Sequence, residues 1–133
     1  MSEIIPHSQP WITESDKRSV LTVLDSRMVA RGKLVKKFED TVASYLGVPF
    51  ATACASGTSA LILALKTLNV HSAHEVILPT YVCRSVLDAV HAVGATPVLC
   101  DVGHEWTATE ENIAPLISER TGAIIAVHIF GLP

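Results

Sequence analysis

Thr13-Glu14-Ser15-Asp16 is a polar helix start, and behind it Val20, Val23 and Leu24 form a short apolar stripe at helical spacing. Gly32 interrupts the pattern. Phe38, Val42, Tyr45 and Leu46 then recur with the same period until Gly47 and Pro49 end a second helix. From Phe50 the rhythm changes to strand, helix, strand, helix. A short segment from Phe50 to Ala55 reads as a strand running into Ser56-Gly57-Thr58. The helix that follows, around Ala60 to Leu68, is apolar almost all round and should be buried on most sides. Glu75-Val76-Ile77-Leu78 reads as a strand closed by Pro79, and Val82, Val86, Val90 and Val93 mark a helix closed by Gly94. Pro97 to Asp101 is a further strand. Thr109 caps a helix with Glu110 and Glu111 in its first turn and Ile113, Leu116 and Ile117 on its inner face. Ala123 to His128 is the last strand.

Strands that are apolar on both faces and joined by helices predict an α/β fold with a mostly parallel sheet. The expected organisation is a helical segment over 1–49 followed by an α/β domain over 50–133. The sequence stops just past the last strand with no terminal helix or polar tail, so that domain reads as truncated at its C-terminal side, with sheet left to be covered.

Composition narrows the function classes. The 133 residues are 49% hydrophobic and only 17% charged, which points to apolar surface that expects a partner or further chain. A formal net charge of −3 argues against nucleic acid or an anionic membrane as the main ligand. No apolar run is long enough to span a bilayer, and the polar start MSEIIPHSQP does not resemble a signal peptide. Cys54, Cys83 and Cys100 are odd in number and lack C-x-x-C spacing, which reads as reduced thiols in a cytoplasmic protein.

The sharpest local signal is Cys54-Ala55-Ser56-Gly57-Thr58-Ser59-Ala60-Leu61, at the start of a helix. The first amides of a helix have no intrahelical acceptor, and the aligned peptide dipoles make that end partly positive. Gly57 lets an anion approach the backbone with no Cβ in the way, and the hydroxyls of Ser56, Thr58 and Ser59 can add donors. A phosphate is the anion these features favour. An ordinary capped helix is the competing reading, because Ser, Gly and Thr are also common capping residues. Neither G-x-x-x-x-G-K-[ST] nor G-x-G-x-x-G occurs, and Ser56 is not in a G-x-S-x-G elbow.

Four segments in order, RGKLVKKFEDTVASYLGVPFA, SGTSALILAL, EVILPTYVCRSVLDAVHAVGATPVLCDV and RTGAIIAVHIFGLP, resemble the N-terminal portion of the DegT/DnrJ/EryC1/StrS sugar aminotransferases. Those are fold-type-I enzymes dependent on pyridoxal 5′-phosphate (PLP). The resemblance implies that 50–133 is part of a PLP-binding large domain. It also implies that Ser56, Gly57 and Thr58 hold the cofactor phosphate. Tyr81 falls where the family sets an aromatic ring over the cofactor's pyridine, though a core aromatic at a helix start is the alternative. The implied whole enzyme is a homodimer that transfers an amino group from a donor such as glutamate to a nucleotide-linked keto sugar. The product is an amino sugar for polysaccharide or antibiotic synthesis.

The family's Schiff-base lysine and the Asp that pairs with the pyridine nitrogen belong to later segments, so no catalytic residue is assigned here. Lys17, Lys33, Lys36, Lys37 and Lys66 do not stand in the family's catalytic context, and the chain alone is expected to be inactive. A non-catalytic phosphate-ligand, interaction or regulatory module derived from the family is the alternative. Asp101 reads as a loop cap. His128 is either a ligand-side or a structural histidine, and Arg84 is either a subfamily contact or a surface residue. His71 and His74 lack a third ligand candidate, so no metal site is expected, and Arg27, Arg31, Lys33, Lys36 and Lys37 read as a solvated basic face.

Overall fold

The computed structural model describes residues 7–131, which fall into two compact units divided between Ala53 and Cys54. The first unit holds two helices. Helix α1 spans Glu14–Asp25, and Thr13 and Asp16 cap it reciprocally, each side chain bonded to the other's backbone amide. Helix α2 spans Lys33–Leu46 and ends where expected. Gly47 takes the left-handed conformation (φ 65°), and the amides of Gly47 and Val48 donate to Ser44 and Ala43 carbonyls at 3.2 and 3.0 Å, a Schellman closure.

The first unit buries little. Only Ala43 and the carboxylate-bearing Glu39 are buried among its described residues, while Leu21, Leu24, Phe38 and Leu46 are exposed. Glu39 accepts two hydrogen bonds from Arg31 (3.1 and 3.3 Å) and one from the backbone amide of Ala53 (3.0 Å). That arrangement satisfies a carboxylate that would otherwise be costly to bury.

The second unit is the α/β layer. Helix α3 spans Gly57–Thr67, strand β1 Glu75–Pro79, helix α4 Arg84–Ala92 and strand β2 Thr96–Cys100. A single turn, α5 (Glu110–Ile113), runs into a 3-10 turn at Ala114–Leu116, and strand β3 spans Thr121–Ile124. The sheet is parallel with order β2-β1-β3, so the α/β expectation holds. All of β1 is buried, as a central parallel strand should be. Pro97 is tolerated in β2 because that strand has a neighbour on one side only among the described residues. Leu65, Val70, Val76, Val90 and Ala95 form the core, backed by Val93, Ala123 and Ile125.

Several boundaries differ from the sequence reading. No strand forms over 50–55, and the Ala53 amide in that segment donates to the Glu39 carboxylate instead. Helix α3 begins at Gly57 and buries only Leu65, leaving Leu63 exposed, since among its neighbours in this unit α4 covers one side alone. Pro115 lacks the amide that would continue α5, which therefore tightens into a 3-10 turn, and Ile117 is left exposed beyond it.

The last strand starts earlier and is shorter than expected. The Glu75 amide donates to Arg120 on the β3 side and the Thr80 amide to Cys100 on the β2 side. Donors of β1 therefore alternate, and Pro79 falls on the β3 side with no N–H to give. The Ile125 amide still donates to Ile77 at 2.8 Å, but His128 lies beyond the ladder.

Candidate functional site

Ser56 caps α3 in an extended conformation (φ −160°, ψ 164°), and its Oγ accepts the Ser59 amide at 3.1 Å. The Ala60 amide donates to the Ser56 carbonyl at 3.0 Å and opens the helical ladder. The Gly57 and Thr58 amides are the ones for which the helix supplies no acceptor. A Cβ placed on Gly57 would have no heavy atom within 4 Å, so the turn is open rather than packed shut. The first turn of α3 carries no acidic side chain, whereas α1 has Glu14 and Asp16 there and α5 has Glu110 and Glu111. Those acids complement the positive helix end in α1 and α5; in α3, as in α2 and α4, no side chain of the first turn does so. The Ser56 hydroxyl lies 3.0 Å from that of Ser59; one of the two donates to the other, which leaves one hydroxyl proton of the pair for a ligand oxygen.

The connection from α3 into β1 is the short loop 68–74, closed by the Val70 amide donating to Leu65 at 3.0 Å. An α3 that packs on α4 and enters the start of β1 this way has its own first turn toward the strands' C-terminal ends, the side on which parallel sheets bind ligands. Tyr81 sits just beyond β1 on that side. It is 48% exposed, and its ring centroid lies 4.9 Å from that of Trp106 with an interplanar angle of 52°. A hollow of about 410 Å³ is lined there by Thr80, Tyr81, Val82, Cys83, Ile129 and Phe130.

Cys83 precedes α4, and its Sγ is 2.8 Å from the Ser85 hydroxyl, a contact that lowers the pKa of the exposed thiol. Burial pushes the Cys100 thiol the other way. None of the three cysteines is in a disulfide.

Among the described residues the Asp101 carboxylate accepts no hydrogen bond, so the expected loop cap does not form. Arg84 is exposed and reaches Asp88 one turn along its own helix at 3.5 Å. His71 and His74 touch edge to face at 4.2 Å, and their Nδ1 atoms accept the amides of Ala73 and His71. No cluster among the described residues can hold a metal ion. Lys36 pairs with Asp40 at 2.6 Å, and Lys33 and Lys37 stand on the same open face of α2. Trp106 and Phe130 were not singled out from sequence, although an aromatic in a polar loop just past a strand's C-terminal end is the signal that would have found Trp106.

Residues 10–133 match the model of the DegT/DnrJ/EryC1/StrS aminotransferase family. The chain belongs to that family. It is 37% identical over 131 residues to GDP-perosamine synthase of Escherichia coli O157:H7, covering 97% of this chain and 36% of that protein. Identity is 43% over 112 residues to a UDP-N-acetyl-3-dehydro-alpha-D-glucosamine 3-aminotransferase of Acidithiobacillus ferrooxidans, covering 84% and 30% respectively. A Streptococcus pneumoniae protein provisionally described as a sugar aminotransferase, solved in its PLP form, superposes with a TM-score of 0.93 at 32% identity, covering 97% and 33%. The chain thus spans about a third of the length of the relatives it matches. No helix among the described residues is long and apolar enough to cross a membrane.

Proposed function

We propose that this chain forms the PLP-phosphate-binding portion of an aminotransferase that acts on a nucleotide-linked keto sugar with an amino-acid donor such as glutamate, in the cytoplasm and as a homodimer. The observation that carries the proposal is the open, acid-free head of α3 at Ser56-Gly57-Thr58. The residues present fit the cofactor. The Gly57 and Thr58 amides, with the Ser56 and Thr58 hydroxyls, would hold its dianionic ester. Tyr81 would offer a ring face to the pyridine.

When bound, PLP supplies the electron sink that makes the carbon next to the amino group acidic. This chain's residues anchor and orient that sink. They do not supply the proton carrier: Lys66 lies in the last turn of α3, about 13 Å along the helix from Gly57 by helical rise, and no lysine flanks the turn itself. The stretch by itself is therefore expected to bind PLP without transaminating. Titrating the chain with PLP by absorbance should give saturable binding, competed by inorganic phosphate, with no borohydride-reducible lysine adduct. A reducible adduct at one lysine would overturn the assignment of no catalytic residue, and absence of saturable binding would overturn the cofactor site.

A further inference from the structure

We propose that Trp106 is a positioning residue that backs Tyr81, so that Tyr81 presents one fixed ring face to a flat heteroaromatic ligand; this rests on the cofactor reading above. Trp106 has φ 63°, the left-handed region that a bulky L-residue rarely enters. Two backbone bonds hold it there: its own amide donates to the Gly103 carbonyl at 3.1 Å, and the Gly103 amide donates to Thr107 at 2.9 Å. A tight loop after β2 thus spends conformational strain to bring one indole against one phenol. Burial does not account for this, because Trp106 remains 52% exposed.

The contact covers part of the Tyr81 ring and leaves the rest facing the hollow it lines. Phe130 lines the same hollow, is 84% exposed and is also left-handed at φ 56°. Two bulky aromatics held in this uncommon conformation around one half-exposed tyrosine describe a wall built for a planar guest rather than for a protein core. An unsupported tyrosine turns about its side-chain bonds, and a ring already held in place binds a stacking partner without losing that freedom.

The chain has two tryptophans, and Trp11 is 91% exposed, so Trp11→Phe leaves Trp106 as the sole indole reporter. In that background PLP should quench Trp106 fluorescence with the same saturation as the absorbance change. Trp106→Gly relieves the left-handed strain and so keeps the loop while removing the ring. It should weaken PLP binding by about 3- to 10-fold, the span of one aromatic pair. The circular dichroism band induced in the bound cofactor should weaken too, while affinity for inorganic phosphate stays unchanged. Trp106→Phe should restore most of both. Equal PLP affinity and an equal induced band in Trp106→Gly would overturn the positioning role while leaving the cofactor site intact. Loss of saturable PLP binding in the parent chain would instead remove the cofactor site, and the positioning role with it.

Discussion

The two units each bury one glutamate, and they use it differently. In the first, Glu39 is the most buried side chain of a pair of helices whose large apolar residues stay exposed. In the second, Glu75 opens a strand whose next residues, Val76, Ile77 and Leu78, are all but inaccessible. Each carboxylate meets an exposed arginine, Arg31 and Arg120 respectively. Glu75 also accepts from the Ser118 hydroxyl at 2.6 Å, tying the start of β1 to the segment leading into β3. The α/β unit therefore has a core with a polar clamp at one end, whereas the helical unit has the clamp and almost no core. Stability and ligand geometry should accordingly be set by the second unit.

The largest test of that contrast is a pair of truncations. Ile77→Ala removes a fully buried side chain from the central strand and should cost about 2–5 kcal/mol. Phe38→Ala, at an exposed position of α2, should change stability by only about 0.5 kcal/mol or less. Urea midpoints of this chain read both, and equal costs would mean that the helical unit holds a core of its own.

Next in size is Arg120→Ala, which leaves Glu75 buried with Ser118 as its remaining side-chain donor. The expected loss is about 1–3 kcal/mol, from hydrogen bonds to a charged group. Gly122 belongs to the same end: the β1–β3 register steps over it, and a Cβ there would meet the His74 Cβ at 3.0 Å and its ring at 3.1 Å. Gly122→Ala should destabilise through that contact, where Gly57→Ala, with open space around it, should not.

The head of α3 separates stability from ligand affinity. Gly57→Asp adds an acid to a helix start that lacks one, which favours the helix by about 0.3–1 kcal/mol. The same charge repels phosphate, so PLP binding should fall by an order of magnitude or more while the thermal midpoint holds or rises. Ser56→Ala should do something else, costing about 1 kcal/mol through the lost cap on Ser59 and weakening PLP binding as well. A Gly57→Asp chain that bound PLP normally would move the phosphate away from this turn.

Much of this was legible in the chain. The caps at Thr13, Gly47, Ser56 and Thr109 are local chemistry, fixed by residues within one turn, and each falls where the sequence puts it. β1 declared itself because a central strand is apolar on both faces. What was not legible depends on partners distant in sequence. The segment 50–55 has strand-like residues but joins no strand, and the end of the β3 ladder is set by Pro79 in another strand. The Tyr81–Trp106 contact joins two loops through a backbone angle that no side-chain pattern encodes. The turn at Ser56-Gly57-Thr58 is legible because it is local, and the Tyr81–Trp106 contact is not because it is assembled.

The smallest expected effect lies in the helical unit and concerns pH. The Ala53 amide lowers the pKa of Glu39 most; Arg31 lowers it too, and burial opposes both. A carboxylate whose folded pKa lies below its unfolded value of 4.5 stabilises the fold fully above that value. The contribution is then lost as pH falls through the folded pKa. Glu39→Gln keeps the size of the side chain but lacks the charge, so it should lower stability near neutral pH and narrow its difference from the parent as the solution is acidified below about pH 4.5. Amide exchange at Ala53 gives a local readout, since that N–H loses its charged acceptor. A constant gap between parent and variant across the acid range would show that Glu39 acts through packing rather than charge. The helical unit would then be held together in the same way as the α/β unit, and the contrast between the two would narrow to the amount of surface each buries.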